Sequence, residues 1–552
     1  MKYIFVSGGV ISGIGKGIAT SSIALLLKSA GYKVVPMKMD PYLNVDAGTM
    51  NPFAHGETFV LDDGRETDQD LGHYERFLNE SLNSTNIATQ GSIYLSVIEK
   101  ERNLEYDGDY VDIHNVTQEI IQRIQTAGKA GQADIMVIEI GGTAGEYQNV
   151  LFLEANRLLK LKHPQDVLHV HITYLPIPGN LGEMKSKPAQ MSVRDLHAVG
   201  IQPDILLARS EKSIDEPRSK RLSLNTGIEE DDIIPSPDVK NIYEIPLNYE
   251  NAGLTNRILK KLKLKRKSSN LSEWAEFVKK AESAKKVVRI GIVGKYFSIG
   301  DFTLSDSYIS VIEALKHASF SQGFKPEIHW IDSGQVEKDQ SILKGFQGFI
   351  VPGGFGSRDI EGKILAIKYA RENNIPYFGL CYGMQLASVE FARNVLGYKD
   401  ANTTEIDPKT KHPVIHIMPD QVKKLLERNY GATMRLGAWD CVLKDGSTVA
   451  KLYGKSETSE RHRHRYEFNN DFREEFEKKG MEIAGTSPDG KLVEIIELKN
   501  HPFFIGTQFH PELKSRPLSP HPLFVGFISA ASKINQASFQ APLIAAASKI
   551  KN

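Results

Sequence analysis

Apolar positions in the first half of the chain fall into short runs separated by stretches with helical spacing. Residues 3–6 form an apolar run that stops at a glycine cluster, and residues 18–29 then follow a helical period up to a stop signal at Gly31. Runs at 33–39, 134–140, 167–174 and 205–208 predict further strands, the second of them again ending in glycines. Strand and helix alternating in this way predict a mostly parallel sheet with helices on both faces. The composition changes at 260–269, Lys-Lys-Leu-Lys-Leu-Lys-Arg-Lys-Ser-Ser, which reads as a solvated helix end and linker in preference to a nucleic-acid contact. A short helix over 274–285 follows, and new strands are predicted at 287–293, 327–331, 348–351 and 375–380. The Ala-rich tail after Gln536 reads as a frayed helix or disorder. The chain therefore divides into an α/β domain over 1–266, a linker helix over 267–286 and a second α/β domain over 287–552.

Length agrees, since 552 residues exceed what a single core supports. Lys plus Arg and Asp plus Glu both number 68, so the formal charge is zero and nothing favours nucleic acid or an anionic membrane as a partner. No apolar stretch reaches transmembrane length, and the residues from Met1 onward run into a strand without a signal-peptide pattern. The two cysteines, Cys381 and Cys441, exclude a disulfide scaffold and fit a reducing compartment. The expectation is a cytoplasmic protein.

Candidate chemistry sits where strands stop. Gly8-Gly9-Val10-Ile11-Ser12-Gly13-Ile14-Gly15-Lys16-Gly17 lies between a strand and a helix, the setting of a phosphate cradle. Lys16 would reach the β/γ-phosphates, although Val10 and Gly17 depart from the strict P-loop pattern. A phosphate site needs a metal, and Asp70 and Glu139 are the candidate Mg²⁺ ligands: Asp70 from an alternating carboxylate run, Glu139 from a strand's C-terminal end. Asp68 and Asp70 could instead cap a helix starting near Leu71. Lys185-Ser186-Lys187-Pro188-Ala189-Gln190 sets two lysines around a small residue, which suits a second polyanion but is also compatible with a solvated loop.

The most specific signal is Gly379-Leu380-Cys381-Tyr382-Gly383-Met384-Gln385, a Gly-x-Cys-x-Gly turn between an apolar strand and a helical pattern. Small residues permit the sharp bend that exposes a nucleophile, and the helix start favours thiolate. Phe509-His510-Pro511-Glu512 supplies a base in His510 and an orienting carboxylate in Glu512. Pro352-Gly353-Gly354-Phe355-Gly356 and the Tyr382 N–H are the candidate oxyanion donors. Cys441 has no such setting and reads as structural.

These segments, in this order, resemble the CTP synthase family over nearly the whole chain. The similarity is carried by the glycine loop, D-P-Y-L-N-V-D-A-G-T-M-N-P, E-T-D-Q-D-L-G-H-Y-E-R-F, E-I-G-G-T and K-S-K-P-A-Q, then V-P-G-G-F-G, G-L-C-Y-G-M-Q, E-R-H-R-H-R-Y-E-F-N and F-H-P-E. The resemblance implies a Rossmann-like P-loop synthase domain and a class I glutamine amidotransferase domain. It implies amination of UTP to CTP with ATP and glutamine, through UTP phosphorylated at O4. It places ATP on Gly13, Ile14, Gly15, Lys16, Gly17, Ile18, Asp70, Asp238, Val239 and Lys240, with Lys38 facing the reacting phosphate. It places UTP, and CTP as inhibitor, on Ser12, Lys185, Ser186, Lys187, Pro188, Ala189, Gln190 and Lys220. Glutamine falls to Gly354, Tyr382, Gly383, Met384, Gln385, Glu405 and Arg465. GTP as activator and a homotetramer are further implications, and filament formation is compatible with them.

Glu146-Tyr147-Gln148 departs from the family's usual segment at the CTP feedback contact, which points to altered inhibition. Ala189 stands where the family has threonine, which points to weaker UTP binding. A cobyrinate-type amidating enzyme and a MinD-type ATPase switch are the rival readings. The first predicts no competition by UTP, the second no use for Cys381, His510 and Glu512.

Overall fold

The computed structural model describes residues 1–50, 56–180, 182–294, 298–299, 302–303, 305–354, 359–417, 434–534 and 547–549. The chain forms two compact units, one of residues 1–47 and 70–278, the other of residues 48–69 and 279–551.

In the first unit seven parallel strands, β1 (Lys2–Gly8), β2 (Val34–Asp40), β3 (Ile87–Thr89), β4 (Ile135–Ile140), β5 (Val167–Tyr174), β6 (Ile205–Ser210) and β7 (Ile233–Pro237), stand in the order β3-β2-β4-β1-β5-β6-β7. Central strands are buried on both faces, which is why their sequences are continuous apolar runs. Helices α1 (Lys16–Ser29), α2 (Gln69–Leu78), α3 (Lys187–Ala198) and α4 (Glu216–Thr226) carry the site. Apolar clusters form on each face of the sheet, Ile4, Val6, Ile23 and Leu26 on one and Tyr3, Phe5, Met37 and Ile138 on the other, as period-two alternation requires. Helix α5 (Ser272–Ser283) buries Trp274 and Phe277 against Phe77 and Tyr243 of the same unit, and the Trp274 indole donates to the Tyr243 carbonyl at 2.8 Å.

The second unit has a ten-stranded sheet. Its parallel part runs β9 (Phe324–Asp332), β8 (Lys286–Gly294), β10 (Gly348–Val351), β11 (Tyr377–Leu380) and β16 (Phe504–Thr507). An antiparallel extension adds β15 (Val493–Leu498), β14 (Met481–Thr486), β12 (Arg435–Leu443) and β13 (Glu457–His464). The charged β13 gave no apolar strand signal in the sequence, because the residues it buries, Thr458, Glu460, Arg461, His462 and His464, are polar. The tail does not follow the helical reading where it is described: Ala547–Lys549 pairs antiparallel with His329–Ile331 of β9, and 535–546 lie outside the described residues.

Residues 48–69 lie between β2 and α2 in sequence yet pack within the second unit. Asp62 meets Arg461 at 2.6 Å, Glu66 meets Arg463 at 2.7 Å, and the Glu57 carboxylate accepts the Ser310 N–H at 3.1 Å. Sequence periodicity is blind to such non-local ion pairing.

Candidate functional site

In the first unit the glycine loop joins β1 to α1 with Val10, Gly13 and Gly15 at positive φ, and Gly15 caps α1 without any side-chain bond to its first N–H groups. That leaves helix-terminal donors for an anion. The departure at Gly17 has a steric cause: a Cβ there would lie 2.0 Å from Asp70 Oδ1, so the Asp70 carboxylate occupies the place where a P-loop hydroxyl would stand. Lys16 Nζ donates to the Gly142 carbonyl at 2.8 Å, which ties the loop to the turn after β4. Burial lowers the Lys16 pKa, opposed by the charge of Glu139.

Lys38, 4% exposed, is the centre of this cluster. Its ammonium contacts Asp70, lies 2.8 Å from Glu139 Oε1 and 3.7 Å from Asp40 Oδ1. Tyr74 donates its hydroxyl to the other Glu139 oxygen. Burial pushes the Asp70 carboxyl up, but Lys38, His73 and Lys16 prevail and hold it below its ordinary value. Glu139 goes the other way: burial and the Asp70 charge raise it despite Lys38. Burial and Glu139 also raise Tyr74 well above its usual range. Among the described residues no three His, Cys, Asp or Glu side chains group as a metal site. Two carboxylates converging on one cation do fit Mg²⁺, which takes one or two carboxylates and completes its shell with phosphate and water oxygens. Asp70 lies in the first turn of α2, which begins at Gln69, and also contacts Lys38. Asp40 and Tyr74 escaped the sequence reading; the position of Asp40 at a strand's C-terminal end was the available signal.

Asp238 is brought to the same loop. Arg209 bridges them, with Nε 3.1 Å from Asp238 Oδ1 and Nη1 donating to the Ile14 carbonyl. Val239 and Lys240 follow directly, Lys240 exposed.

A cleft of about 510 Å³ is lined by Lys185, Ser186, Lys187, Gln190, Arg218 and Arg221 among others. Four basic side chains line it, and Glu183, also in the lining, lies 2.7 Å from Lys185 and 3.4 Å from Arg218. Ser12 is exposed on the glycine loop. Four assigned residues, Ser12, Pro188, Ala189 and Lys220, are outside that lining. Ala189 is fully buried, packed with Val193, Leu206 and Leu222, because helical spacing turns it to the core. Lys220 is outside the lining and pairs with Glu216, while Arg218 and Arg221, one helical face round, line the cleft instead. Glu146 Oε2 accepts the Thr143 N–H at 3.0 Å, and Tyr147 is 97% exposed.

In the second unit Cys381 ends β11 at φ +50° and caps helix α6 (Tyr382–Phe391). The bend has a strict steric basis. A Cβ on Gly379 would meet the Gly383 carbonyl carbon at 2.7 Å, and one on Gly383 would meet the Val351 oxygen at 2.1 Å. The Cys381 N–H is fixed to the Thr507 carbonyl at 2.7 Å, and Leu380 pairs with Thr507 across β11 and β16. His510 lies three residues past the end of β16, with its own N–H on the Arg461 carbonyl at 2.8 Å. Its Nδ1 lies 2.7 Å from Glu512 Oε1. Burial opposes an imidazolium here, but the charges of Glu512 and Cys381 outweigh it and raise the His510 pKa well above its ordinary value. Gly353 is held against the imidazole: a Cβ there would lie 2.7 Å from His510 Cε1. Cys381 Sγ is 3.8 Å from both the Arg463 carbonyl and Gln508 Nε2.

Of the assigned glutamine contacts, Gly354 borders open space and the Tyr382 N–H starts α6, whereas the Tyr382 and Met384 side chains belong to the core. Gln385 Nε2 donates to the Tyr466 carbonyl at 3.0 Å. Burial raises the Tyr466 hydroxyl, with the charge of Glu405 adding and that of Arg465 opposing. Phe355 and Gly356 of the proposed oxyanion loop lie outside the described residues. Gln508 was not anticipated. Cys441 is fully buried, and burial followed by Glu494 and Glu460 pushes its thiol far up, an inert group as expected.

Residues 2–264 match the model of the CTP synthase N-terminus, and residues 303–530 that of the class-I glutamine amidotransferase. A CTP synthase of Clostridium beijerinckii is 49% identical over 97% of this chain and 99% of its own. The chain belongs to the CTP synthase family. The CTP synthase of Bacillus subtilis is 47% identical over 96% of this chain and 98% of its own. Among solved structures, the glutaminase domain of Trypanosoma brucei CTPS with bound acivicin is 39% identical, covers 45% of this chain and 95% of that one, and has a TM-score of 0.41. Among the described residues of this CTP synthase family member, no helix is long and apolar enough to cross a membrane.

Proposed function

We propose that this chain aminates UTP to CTP, spending ATP and taking ammonia from glutamine. The observation that carries it is the pairing in one chain of a cysteine elbow, Cys381 with His510 and Glu512, and a buried lysine–carboxylate cluster at a glycine loop. Cys381 Sγ attacks the glutamine amide carbon. His510 delivers a proton to the leaving nitrogen, and Glu512 holds the ring through Nδ1. The Tyr382 N–H with Gly353 and Gly354 receives the developing oxyanion. Water then releases glutamate.

In the first unit, the unpaired N–H groups of α1 and Lys16 hold the ATP phosphates, and Arg209 with Asp238 sets the nucleoside side. Asp70 and Glu139 would hold Mg²⁺, which neutralises phosphate charge when bound. Lys38, freed from these carboxylates, faces the transferring phosphoryl group. UTP takes the basic cleft of Lys185, Lys187, Gln190, Arg218 and Arg221. ATP phosphorylates UTP at O4, giving ADP; ammonia displaces that phosphate at C4. GTP activation, CTP feedback at Glu146–Gln148 and a homotetramer belong to this reading through the family resemblance. A cytoplasmic site of action fits its soluble substrates.

The test compares CTP formation with glutamine and with ammonium. Cys381→Ala abolishes the first and spares the second; loss of both rejects the division of labour.

A further inference from the structure

Behind the glycine loop runs a line of polar side chains that no catalytic step uses. Asn156, His169, Ser7, His171 and Ser192 are all buried, none more than 3% exposed. Asn156 Nδ2 meets His169 Nδ1; His169 Nε2 lies 2.7 Å from Ser7 Oγ; Ser7 Oγ lies 2.8 Å from His171 Nδ1; His171 Nε2 lies 2.9 Å from Ser192 Oγ. Ser192 Oγ lies 3.2 Å from the Ala189 carbonyl and 3.1 Å from Thr173 Oγ1.

The proton positions follow from the ends. A carbonyl only accepts, so Ser192 gives its single hydrogen to Ala189 and accepts from His171 Nε2–H. A neutral His171 then has a bare Nδ1, which accepts from Ser7 O–H. Ser7 in turn accepts from His169 Nε2–H, and His169 Nδ1 accepts from the Asn156 amide. Each donor is used once, and Thr173 supplies the second hydrogen bond that Ser192 can accept. Both rings must be neutral for this order. They are: burial, with the like charge of His171, takes His169 well below its ordinary pKa, and burial with Lys16 takes His171 down to about 3.

The ends of this line are what matter. Ser7 immediately precedes Gly8 and Gly9 of the phosphate loop. Ser192 and Ala189 sit on α3, whose first turn carries Lys187 and Gln190 of the basic cleft. A second contact links the same parts: a Cβ on Gly9 would lie 2.4 Å from Ser192 Cβ, so the loop backbone rests directly on α3. Every side chain in the line is buried and each link depends on the proton order of the next, so a shift of either end reorders or strains the rest.

We infer that the Ser7–His171–Ser192 line is a coupling element that sets the phosphate loop and the basic cleft against each other, with His171 a positioning residue and not a catalytic one. Occupation of one nucleotide site thereby tightens the other. This rests on the assignment of the two sites to ATP and UTP above.

The experiment measures binding of a non-hydrolysable ATP analogue by calorimetry, alone and with saturating UTP, on the full chain. In the unmodified protein, UTP tightens analogue binding by about fivefold or more, the lower end of ordinary coupling. His171→Asn and Ser192→Ala reduce that factor to about one, while analogue binding alone changes by less than about twofold. Ser192→Ala deletes a single hydroxyl and keeps the assay interpretable should His171→Asn not fold. A loss of thermal stability with the coupling factor intact would mark the line as merely structural and overturn the inference. No coupling in the unmodified protein overturns it as well. Failure of the unmodified protein to bind either nucleotide overturns instead the site assignment beneath it.

Discussion

His510 Nδ1 sits 2.7 Å from Glu512 Oε1, two residues further along one short segment, and the carboxylate holds the imidazole where the charge of Cys381 also acts on it. Glu512 and Cys381 raise the His510 pKa against the opposing effect of burial. The sign follows. A histidine with a raised folded pKa contributes stability that is complete below its unfolded value and is lost as pH rises through the folded value. Glu512→Gln removes one of the two supporting charges, so the His510 pKa falls, and glutaminase turnover drops on the order of 10²–10⁴-fold. NMR titration of the His510 ring checks the first and glutamate release the second. An unchanged ring pKa in the variant would contradict the assignment of cause.

Gly17→Ala places a methyl group 2.0 Å from Asp70 Oδ1. Asp70 must move, and with it the contact to Lys38. Displacement of about an ångström at a reacting group costs about 10²-fold, so kcat/KM for ATP falls by about that factor with either nitrogen source. Alkylation of Cys381 by a glutamine analogue proceeds at the unmodified rate. Normal ATP kinetics in this variant would show that Asp70 is not part of the phosphate site.

Glu467 is buried beside Arg435, His464 and Glu494. Burial raises its pKa to about 8, Arg435 opposing and Glu494 adding. The folded state binds the proton more tightly than the unfolded one, so stability falls as pH rises between the ordinary glutamate value of 4.5 and about 8. The change is on the order of a few kcal/mol. Glu467→Gln flattens this slope in denaturant melts followed across the range. A slope of the same size in the variant would assign it to other groups.

How much of this was legible in the chain differs by feature. β5 and β10 fall on the predicted residues, because fully buried strands are written as continuous apolar runs. The elbow was legible because its glycines are sterically compelled, as Gly383 against the Val351 oxygen illustrates. Arg218 and Arg221, which line the basic cleft, went unmarked because a basic residue on a helix announces charge but not the face it takes. The burial of Ala189 was hidden for the same reason. The attachment of 48–69 to Arg461 and Arg463 was invisible, being made of pairs some four hundred residues apart. So was the Ser7–His171–Ser192 line, whose members carry no local signature.

The central claim is that nitrogen from glutamine, released at Cys381, becomes the exocyclic amine of CTP. Glutamine labelled with heavy nitrogen in its amide, supplied with UTP and ATP to the unmodified protein in the presence of unlabelled ammonium, tests it directly by mass spectrometry of the nucleotide product. The account predicts CTP enriched in the label above the proportion in free ammonium. Glutamate released without labelled CTP, the label passing only to ammonium in solution, would contradict it.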